Sequence, residues 1–351
     1  MARLDFDEAP SRITIDPKAV ARNYKRLAGL TKARCAAVVK ADAYGLGVEE
    51  IAPALAAAGA EVFCVALPAE GVRLRAVLPD ATIYILNGIF DPAEARAHKL
   101  VPFISSPDAL ADWPGDLPFA LNIDTGMNRL GLSVAEARQV TRRPVLIASH
   151  FACADQPLDP LNAAQEAAFR SAKAHFPDVP ASFANSAALI SRPQSHYDLV
   201  RPGIALYGGT AITEGTPLEV AVRLEARIIQ VRDVAEGESV GYGAAEHVSR
   251  PTKVAIASLG YADGYLRIAG GADGRGGAPV SVNGHITRLV GRVSMDLIAI
   301  DVTGLDVARG DYVELLGRNV PLDQVAHKAK TIGYELLTGL SRRAARRYGP
   351  L

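Results

Sequence analysis

The stretch Ala36-Ala-Val-Val-Lys-Ala-Asp-Ala-Tyr-Gly-Leu-Gly47 decides how the chain reads. Ala36 to Val39 is a short apolar run that predicts a buried strand, and it ends in Lys40. Tyr44, Gly45 and Gly47 then predict a turn that opens a helix. A lysine at the carboxyl end of a buried strand does little for stability. It suits chemistry, because a partly desolvated amine loses its proton more readily and can form a Schiff base. The other reading is a lysine whose stem packs at the rim while its amine reaches water.

Working outward, seven more apolar runs follow. They cover Val62 to Leu67, Thr82 to Leu86, Val101 to Ser105, Phe119 to Ile123, Val145 to His150, Ala181 to Asn185 and Leu199 to Leu206. Helical patterns separate them, at Ile51 to Ala58, Glu70 to Val77, Pro92 to His98, Val134 to Thr141 and Leu161 to His175. The runs are continuous rather than alternating, as strands covered on both faces are. Eight such strands alternating with helices predict an α/β fold with an N-terminal (β/α)8 TIM-type barrel, a fold of roughly 250 residues. Ahead of it, Thr14 to Asp16 predicts a short strand entering a helix, with Asp16 as N-cap and Pro17 in the first turn.

In a barrel of this type chemistry sits at the carboxyl ends of the strands. Lys40, His150, Asn185 with Ser186, and Arg201 all fall at or near such ends. Arg201-Pro-Gly-Ile-Ala-Leu-Tyr-Gly208 places backbone amides beside a glycine, and Ser186 opens a predicted helix. Both features suit a phosphate.

From about Pro217 onward the pattern changes. Arg223 to Val231, Lys253 to Leu259, Ile286 to Val290, Leu297 to Val302 and Tyr312 to Leu316 predict strands separated by Gly and Asp turns. This gives two domains, a barrel over residues 1–218 and a C-terminal mostly-β domain over residues 219–351. Gly270 to Gly277 lacks a phosphate-loop pattern and reads as a flexible loop. Thr331 to Arg347 reads as a late helix with a basic end.

The bulk composition narrows the function classes. The 351 residues carry 38 basic and 38 acidic side chains, which gives no support for nucleic-acid binding. The three cysteines, Cys35, Cys64 and Cys153, form no disulfide framework and suit a reducing compartment. The N-terminal stretch has no signal-peptide core, and no apolar run is long enough to span a bilayer. The expectation is a cytoplasmic protein. His150 and Cys153 have a spacing a metal could use, but no second pair accompanies them, so no metal is expected.

Eight motifs, in order along the chain, carry a resemblance. They are Val39-Lys-Ala-Asp-Ala-Tyr-Gly-Leu-Gly47, Asp124-Thr-Gly-Met-Asn-Arg-Leu-Gly131, Ser149-His-Phe-Ala-Cys-Ala-Asp155, Asn185-Ser-Ala187, Arg201-Pro-Gly-Ile-Ala-Leu-Tyr-Gly208, Val240-Gly-Tyr-Gly243, Gly260-Tyr-Ala-Asp-Gly264 and Gly291-Arg-Val-Ser-Met-Asp296. Together they resemble the alanine racemases, pyridoxal 5'-phosphate enzymes of the barrel-plus-β-domain type. The resemblance implies a homodimer with shared active sites that interconverts L- and D-alanine and supplies D-alanine for peptidoglycan. It implies that Lys40 holds the cofactor and is one of two bases. Tyr242 would be the other base, reaching in from the second subunit. Tyr44, Asn185, Ser186 and the amides of Gly203 and Ile204 would bind the cofactor at its phosphate end. Arg201 would face the pyridine nitrogen, His150 would lie near the ring, and Arg129 near the phenolic oxygen and the substrate. Tyr261, Met295 and Asp296 would shape the substrate pocket from the partner's β domain.

The chemistry agrees with that assignment. Racemisation removes a proton from one face of Cα and returns it on the other, which two bases on opposite faces can do. An isolated tyrosine has a pKa near 10 and needs positive charge nearby to serve as a base. Arginine does not give up its proton, so a ring nitrogen facing Arg201 would stay unprotonated and the cofactor would be a weaker electron sink. Taken singly, the residues have plainer readings. Tyr242 between glycines reads as a turn aromatic, His150 as a core histidine, Asp296 as a turn acid, and Arg129 as a partner for Asp124. One position departs from the family: many members carry a carboxylated lysine where this chain has Asn122. A bound anion such as chloride could supply the missing charge. Alternative functions are a serine or broad-specificity racemase of the same fold, a decarboxylase, or a noncatalytic cofactor carrier. The Arg201 segment speaks against the decarboxylase, and Tyr242 against the carrier.

Overall fold

The structure is a computed structural model that describes residues 5–212 and 216–351. By its contacts the chain divides into two compact units. One is Val20–Glu219, and the other joins residues 5–19 to Val220–Leu351. The first strand, β1 (Ser11–Ile15), belongs to the second unit, where it pairs antiparallel with β11 (Val222–Val234) and parallel with β17 (Ala345–Tyr348). The sequence reading opens the barrel at residue 1, so it differs here. β1 runs straight into the helix Pro17–Ala28, a local pattern that a barrel strand shares. Asp16 caps that helix as expected, accepting from the amides of Lys18 (2.8 Å) and Ala19 (3.0 Å).

The Val20–Glu219 unit is built on nine parallel strands. They are β2 (Arg34–Cys35), β3 (Ala37–Val38), β4 (Val62–Val65), β5 (Thr82–Ile85), β6 (Leu100–Ile104), β7 (Ala120–Asn122), β8 (Leu146–Ala148), β9 (Ala181–Ser182) and β10 (Leu199–Val200). Their order is β2-β10-β9-β8-β7-β6-β5-β4-β3. β2 and β3 are two parts of one stretch, residues 34–38, with Ala36 between them, so β2 lies ahead of the predicted run Ala36 to Val39. β2 pairs with β10 and β3 with β4, and the Ala36 amide between them donates to the Val200 carbonyl (2.8 Å). One stretch thus touches both ends of the sheet and nearly closes a (β/α) barrel. β4 is buried along its whole length, as continuous apolar runs require. Several helices start on a proline just after a capping side chain. Asp91 precedes Pro92–His98, Ser106 precedes Pro107–Asp112, and Asp159 precedes Pro160–Lys173.

The other unit is mostly β. Its strands are β11 (Val222–Val234), β12 (Thr252–Ala257), β13 (Pro279–Val282), β14 (His285–Arg288), β15 (Ile298–Asp301), β16 (Tyr312–Leu316) and β17 (Ala345–Tyr348). The main path runs β14-β13-β16-β11-β1-β17, while β12 pairs with β11 and β15. A register shift between Ile228 and Gln230 lets the long β11 serve β1 and β16 with its first half and β12 with its second.

Two expectations are corrected here. The late helix is shorter, Gly333–Gly339, and the basic stretch beyond it becomes β17. Ladder pairing with β1 replaces the helical bonds the composition favours. Gly270 to Gly277 is not a free loop. The Gly271 amide donates to the Gly291 carbonyl (2.7 Å), and a Cβ at Gly270 would come within 2.6 Å of the same oxygen. Among the described residues no helix is long and apolar enough to cross a membrane.

Candidate active site

Lys40 stands two residues past β3, half-buried, and opens a turn of unusual hand. Ala41, Asp42, Ala43 and Tyr44 all have φ between 53° and 57°. Left-handed backbone costs an L-residue roughly 1–2 kcal/mol, so this turn needs outside support. Gly45 and Gly47, also at positive φ, donate back to the Ala41 and Asp42 carbonyls (2.7 and 2.9 Å). The Ala41 amide donates to Glu70 Oε1 (2.7 Å). Ala43 and Tyr44 are buried, and the Tyr44 ring lies 4.7 Å from that of Tyr207, whose hydroxyl donates to the Val38 carbonyl (2.9 Å).

Burial lowers the pKa of Lys40, and the nearby Arg129 guanidinium lowers it further, while Glu70 opposes them. Cys64 on β4 also faces the amine, but burial pushes its thiol up to about 11, so it stays uncharged at neutral pH. His150, after β8, is held at about 3 by burial and by Arg201, Arg129 and Lys40. It is therefore neutral. Its Nδ1 lies 3.4 Å from Arg201 Nη2. Because arginine only donates, Nδ1 accepts and the proton sits on Nε2.

Arg201, just past β10, is buried. It donates to the Ser149 carbonyl (2.6 Å) and to Ser182 Oγ, and among the described residues it has no carboxylate partner. Burial lowers its pKa from the ordinary value, yet a guanidinium remains a cation in proteins. A buried cation braced only by neutral acceptors is costly unless something else uses it.

A second cluster forms at Tyr44, Ser186, Gly203 and Ile204. Ser186 Oγ accepts from the Gly203 amide (2.8 Å). A Cβ on Gly203 would come within 2.2 Å of the Tyr44 hydroxyl oxygen, so only glycine admits that tyrosine. Asn185 caps the helix Ser186–Ser191, its Oδ1 accepting from the Ala188 amide (3.0 Å). Its side chain thus sets the position of Ser186.

Arg129 is exposed and makes no hydrogen bond or ion pair among the described residues. Its simple pairing with Asp124 does not occur. Asp124 Oδ1 instead accepts from the amides of Gly126, Met127 and Asn128 (2.9–3.1 Å), shaping the loop. Asn122 donates to Ser105 Oγ (3.2 Å). Gln165, which carries no motif signal, joins these loops: it donates to Thr125 Oγ1 (3.2 Å) and to the His150 carbonyl (3.0 Å). Glu70 enters the sequence reading only as the start of a helical pattern, with no part in the site. Its only signal is the Leu67-Pro-Ala-Glu70 start of a helix.

The β unit brings together the remaining predicted residues. Tyr242 is 70% exposed between Gly241 and Gly243, both at positive φ. The Arg292 guanidinium crosses the Gly243 backbone, where a Cβ would lie 2.6 Å from Nη1. The Tyr261 amide donates to the Ser294 carbonyl and the Ala262 amide to that of Met295 (both 3.0 Å). Arg343 pairs with Asp296 (2.9 Å) and with Asp263 (3.5 Å). Tyr261 and Met295 are 41% and 54% exposed.

The comparisons agree along the chain. Residues 15–211 match the family described as alanine racemase, N-terminal domain, and residues 221–348 match alanine racemase, C-terminal domain. A biosynthetic alanine racemase of Agrobacterium fabrum is 45% identical, covering 98% of this chain and 95% of its own. An alanine racemase of Rhizobium meliloti is 46% identical, covering 98% of each. The crystal structure of alanine racemase from Bartonella henselae with covalently bound pyridoxal phosphate superposes with a TM-score of 0.89 at 38% identity, covering 97% of this chain and 99% of that one.

Proposed function

This chain belongs to the alanine racemase family, and from that premise we propose that it interconverts L- and D-alanine with pyridoxal 5'-phosphate carried on Lys40. The observation that carries the reading is the setting of Lys40. It is a partly desolvated amine at the barrel's carboxyl rim, beside Arg129.

The residues fit the cofactor. Arg201 is a buried cation with only neutral acceptors, so its remaining donors suit an unprotonated ring nitrogen. The Ser186 hydroxyl, the Ile204 amide and the Tyr44 hydroxyl suit a phosphate, beside the Gly203 amide that donates to Ser186 Oγ. When bound, the cofactor delocalises the electron pair left on Cα once its proton has gone. Lys40 takes or returns that proton on one face, and its lowered pKa keeps more of the amine neutral. His150 accepts from Arg201 and holds it in place. Arg129, unpaired by protein, is free to hold the cofactor's phenolic oxygen or the substrate carboxylate.

Tyr242 serves the opposite face. Its exposure, with that of Tyr261, Met295 and Asp296, supports a second copy of the chain covering this surface and completing each site. D-alanine made this way supplies peptidoglycan assembly from the cytoplasm. The test is proton exchange at Cα. Purified protein, pyridoxal phosphate and L-alanine are incubated in D2O, and chiral chromatography with mass spectrometry follows the product. Deuterated D-alanine is expected. Deuterium entering L-alanine with no D-alanine formed would overturn the two-base reading. Activity per subunit should also fall on dilution; a rate proportional to protein at every concentration would overturn the shared site.

A further inference from the structure

We propose that Glu70 is the positioning residue for Lys40, its carboxylate tying the left-handed turn that Lys40 opens to the loop after β4. The inference rests on Lys40 being the reactive amine. Glu70 Oε1 accepts from the amide of Ala41, the residue after Lys40, at 2.7 Å. Its Oε2 accepts from the amides of Ala66 (2.8 Å) and Leu67 (3.1 Å). One side chain therefore spans two neighbouring βα loops.

A helix start accounts for only part of this. Glu70 lies in the first turn of the helix Pro68–Val77, and the bonds to Ala66 and Leu67 are those of an N-terminal capping glutamate. The bond to Ala41 lies outside any capping role. Among the described residues the Ala41 amide has no other acceptor, because a reversal of hand at this residue takes it off the strand ladder. Four non-glycine residues in left-handed backbone will not hold that shape unaided. Glu70 fixes the first of them, so it sets where the Lys40 side chain departs.

Its charge has a second effect. The groups facing Lys40 are Arg129, which is cationic, His150 and Cys64, both neutral, and Glu70; Arg201 lies behind them, against Cys64 and His150. Asp42, two residues on, is engaged by the Val48 amide (3.0 Å) and Arg73 (3.1 Å). Glu70 is thus the anion that favours a protonated Lys40 and tempers Arg129 and burial.

Three variants separate the two effects. Glu70→Asp keeps the charge but is one methylene short of the Ala41 amide. Glu70→Gln loses the charge and keeps one accepting oxygen, which can still serve the Ala41 amide, while its NH2 cannot replace the bonds from Ala66 and Leu67. Glu70→Ala loses the charge and the acceptor alike. Hydrogen exchange, read by mass spectrometry on the holoenzyme, reports the turn. Peptides covering 41–47 should exchange about tenfold faster in Glu70→Asp and Glu70→Ala, as for a locally opened segment. In the same two variants kcat should fall by about 10²-fold, as for a reactive group displaced by about an ångström, with KM little changed. In Glu70→Gln the acid limb of kcat should move to lower pH, because Lys40 deprotonates more easily without its anion; in Glu70→Asp the limb should stay. Unchanged exchange over 41–47 in Glu70→Asp and Glu70→Ala would overturn the tie. An acid limb that does not move in Glu70→Gln would overturn the charge effect. If Glu70→Ala fails to fold, the other two variants decide. If the unaltered protein does not racemise alanine, the functional reading fails, while the exchange arm still tests the tie.

Discussion

Around Lys40 the protein has closed in, whereas around Tyr242 it is open. The lysine turn is held by Glu70, by two back-donating glycine amides and by the Tyr44–Tyr207 contact, and its amine is half-buried among charged neighbours. Tyr242 has rigid backbone beneath it, with Arg292 laid over Gly243, but its own ring is 70% exposed. Burial and charge tune a group only where water is kept away. One proposed base carries that environment within its own unit. The other is well aimed but not enclosed, and its environment has to be brought to it. Two halves of one reaction are thus at different stages of completion in a single chain.

Substitutions can break or sharpen that contrast. The largest effect belongs to the closed side. Lys40→Ala should cost at least about 10³-fold in racemisation in both directions, since a base and a covalent anchor go together. Chiral assay from each enantiomer checks this, and a variant that still works from one side would break the contrast. Tyr242→Phe should reduce racemisation by about 10²–10⁴-fold, while Cα exchange in D2O survives for one enantiomer only. Because the ring is exposed, its thermal unfolding should shift by no more than about 0.5 kcal/mol. Arg201→Glu should produce pyruvate alongside D-alanine, measured by coupled assay, because an acid at this buried position favours a protonated ring nitrogen. An unchanged product ratio would remove the proposed partnership of Arg201.

The smallest effect is in pH dependence. His150 has an ordinary pKa of 6.5 and is held at about 3 in the folded protein. As pH falls below 6.5 the unfolded chain takes up a proton that the folded chain refuses. Stability from this site is therefore present above pH 6.5 and lost as pH falls toward 3. In His150→Asn the decline across that window should be shallower, measured by urea unfolding at stepped pH. Equal slopes would mean His150 is not held neutral.

The barrel was legible because its signal is local. Continuous apolar runs bounded by helical patterns identify covered strands, and a lysine or arginine at the end of such a run stands out against its surroundings. Lys40, His150 and Arg201 were found this way. Ala41-Asp-Ala gives no hint of its left-handed backbone, which in sequence would ordinarily be marked by glycine or asparagine. Its support comes from Glu70, across a strand and nearly thirty residues away. The fate of residues 342–347 was equally hidden. Arginine-rich segments suit a helix end, and only pairing with β1, more than three hundred residues earlier, makes β17. The site roles carried by family motifs come from resemblance. The backbone ties beneath them are visible only in three dimensions.

β1 lies between β11 and β17, so its sheet takes strands from both sides of the barrel sequence. Seen from the ribosome, the barrel is an insertion. Residues 20–219 emerge as one contiguous segment and can fold while β1 waits, unpaired, for β11. The strand completing its other flank, Ala345–Tyr348, is made still later. Contacts of such long sequence separation form late and slowly. With the barrel folded at that stage, Lys40 would have its setting while the strands that follow Tyr242 are still being made. A cofactor could therefore be captured during synthesis, before racemisation is possible. Removing residues 345–351 should then spare cofactor capture while abolishing turnover, which absorbance and chiral assay of the truncated chain would distinguish.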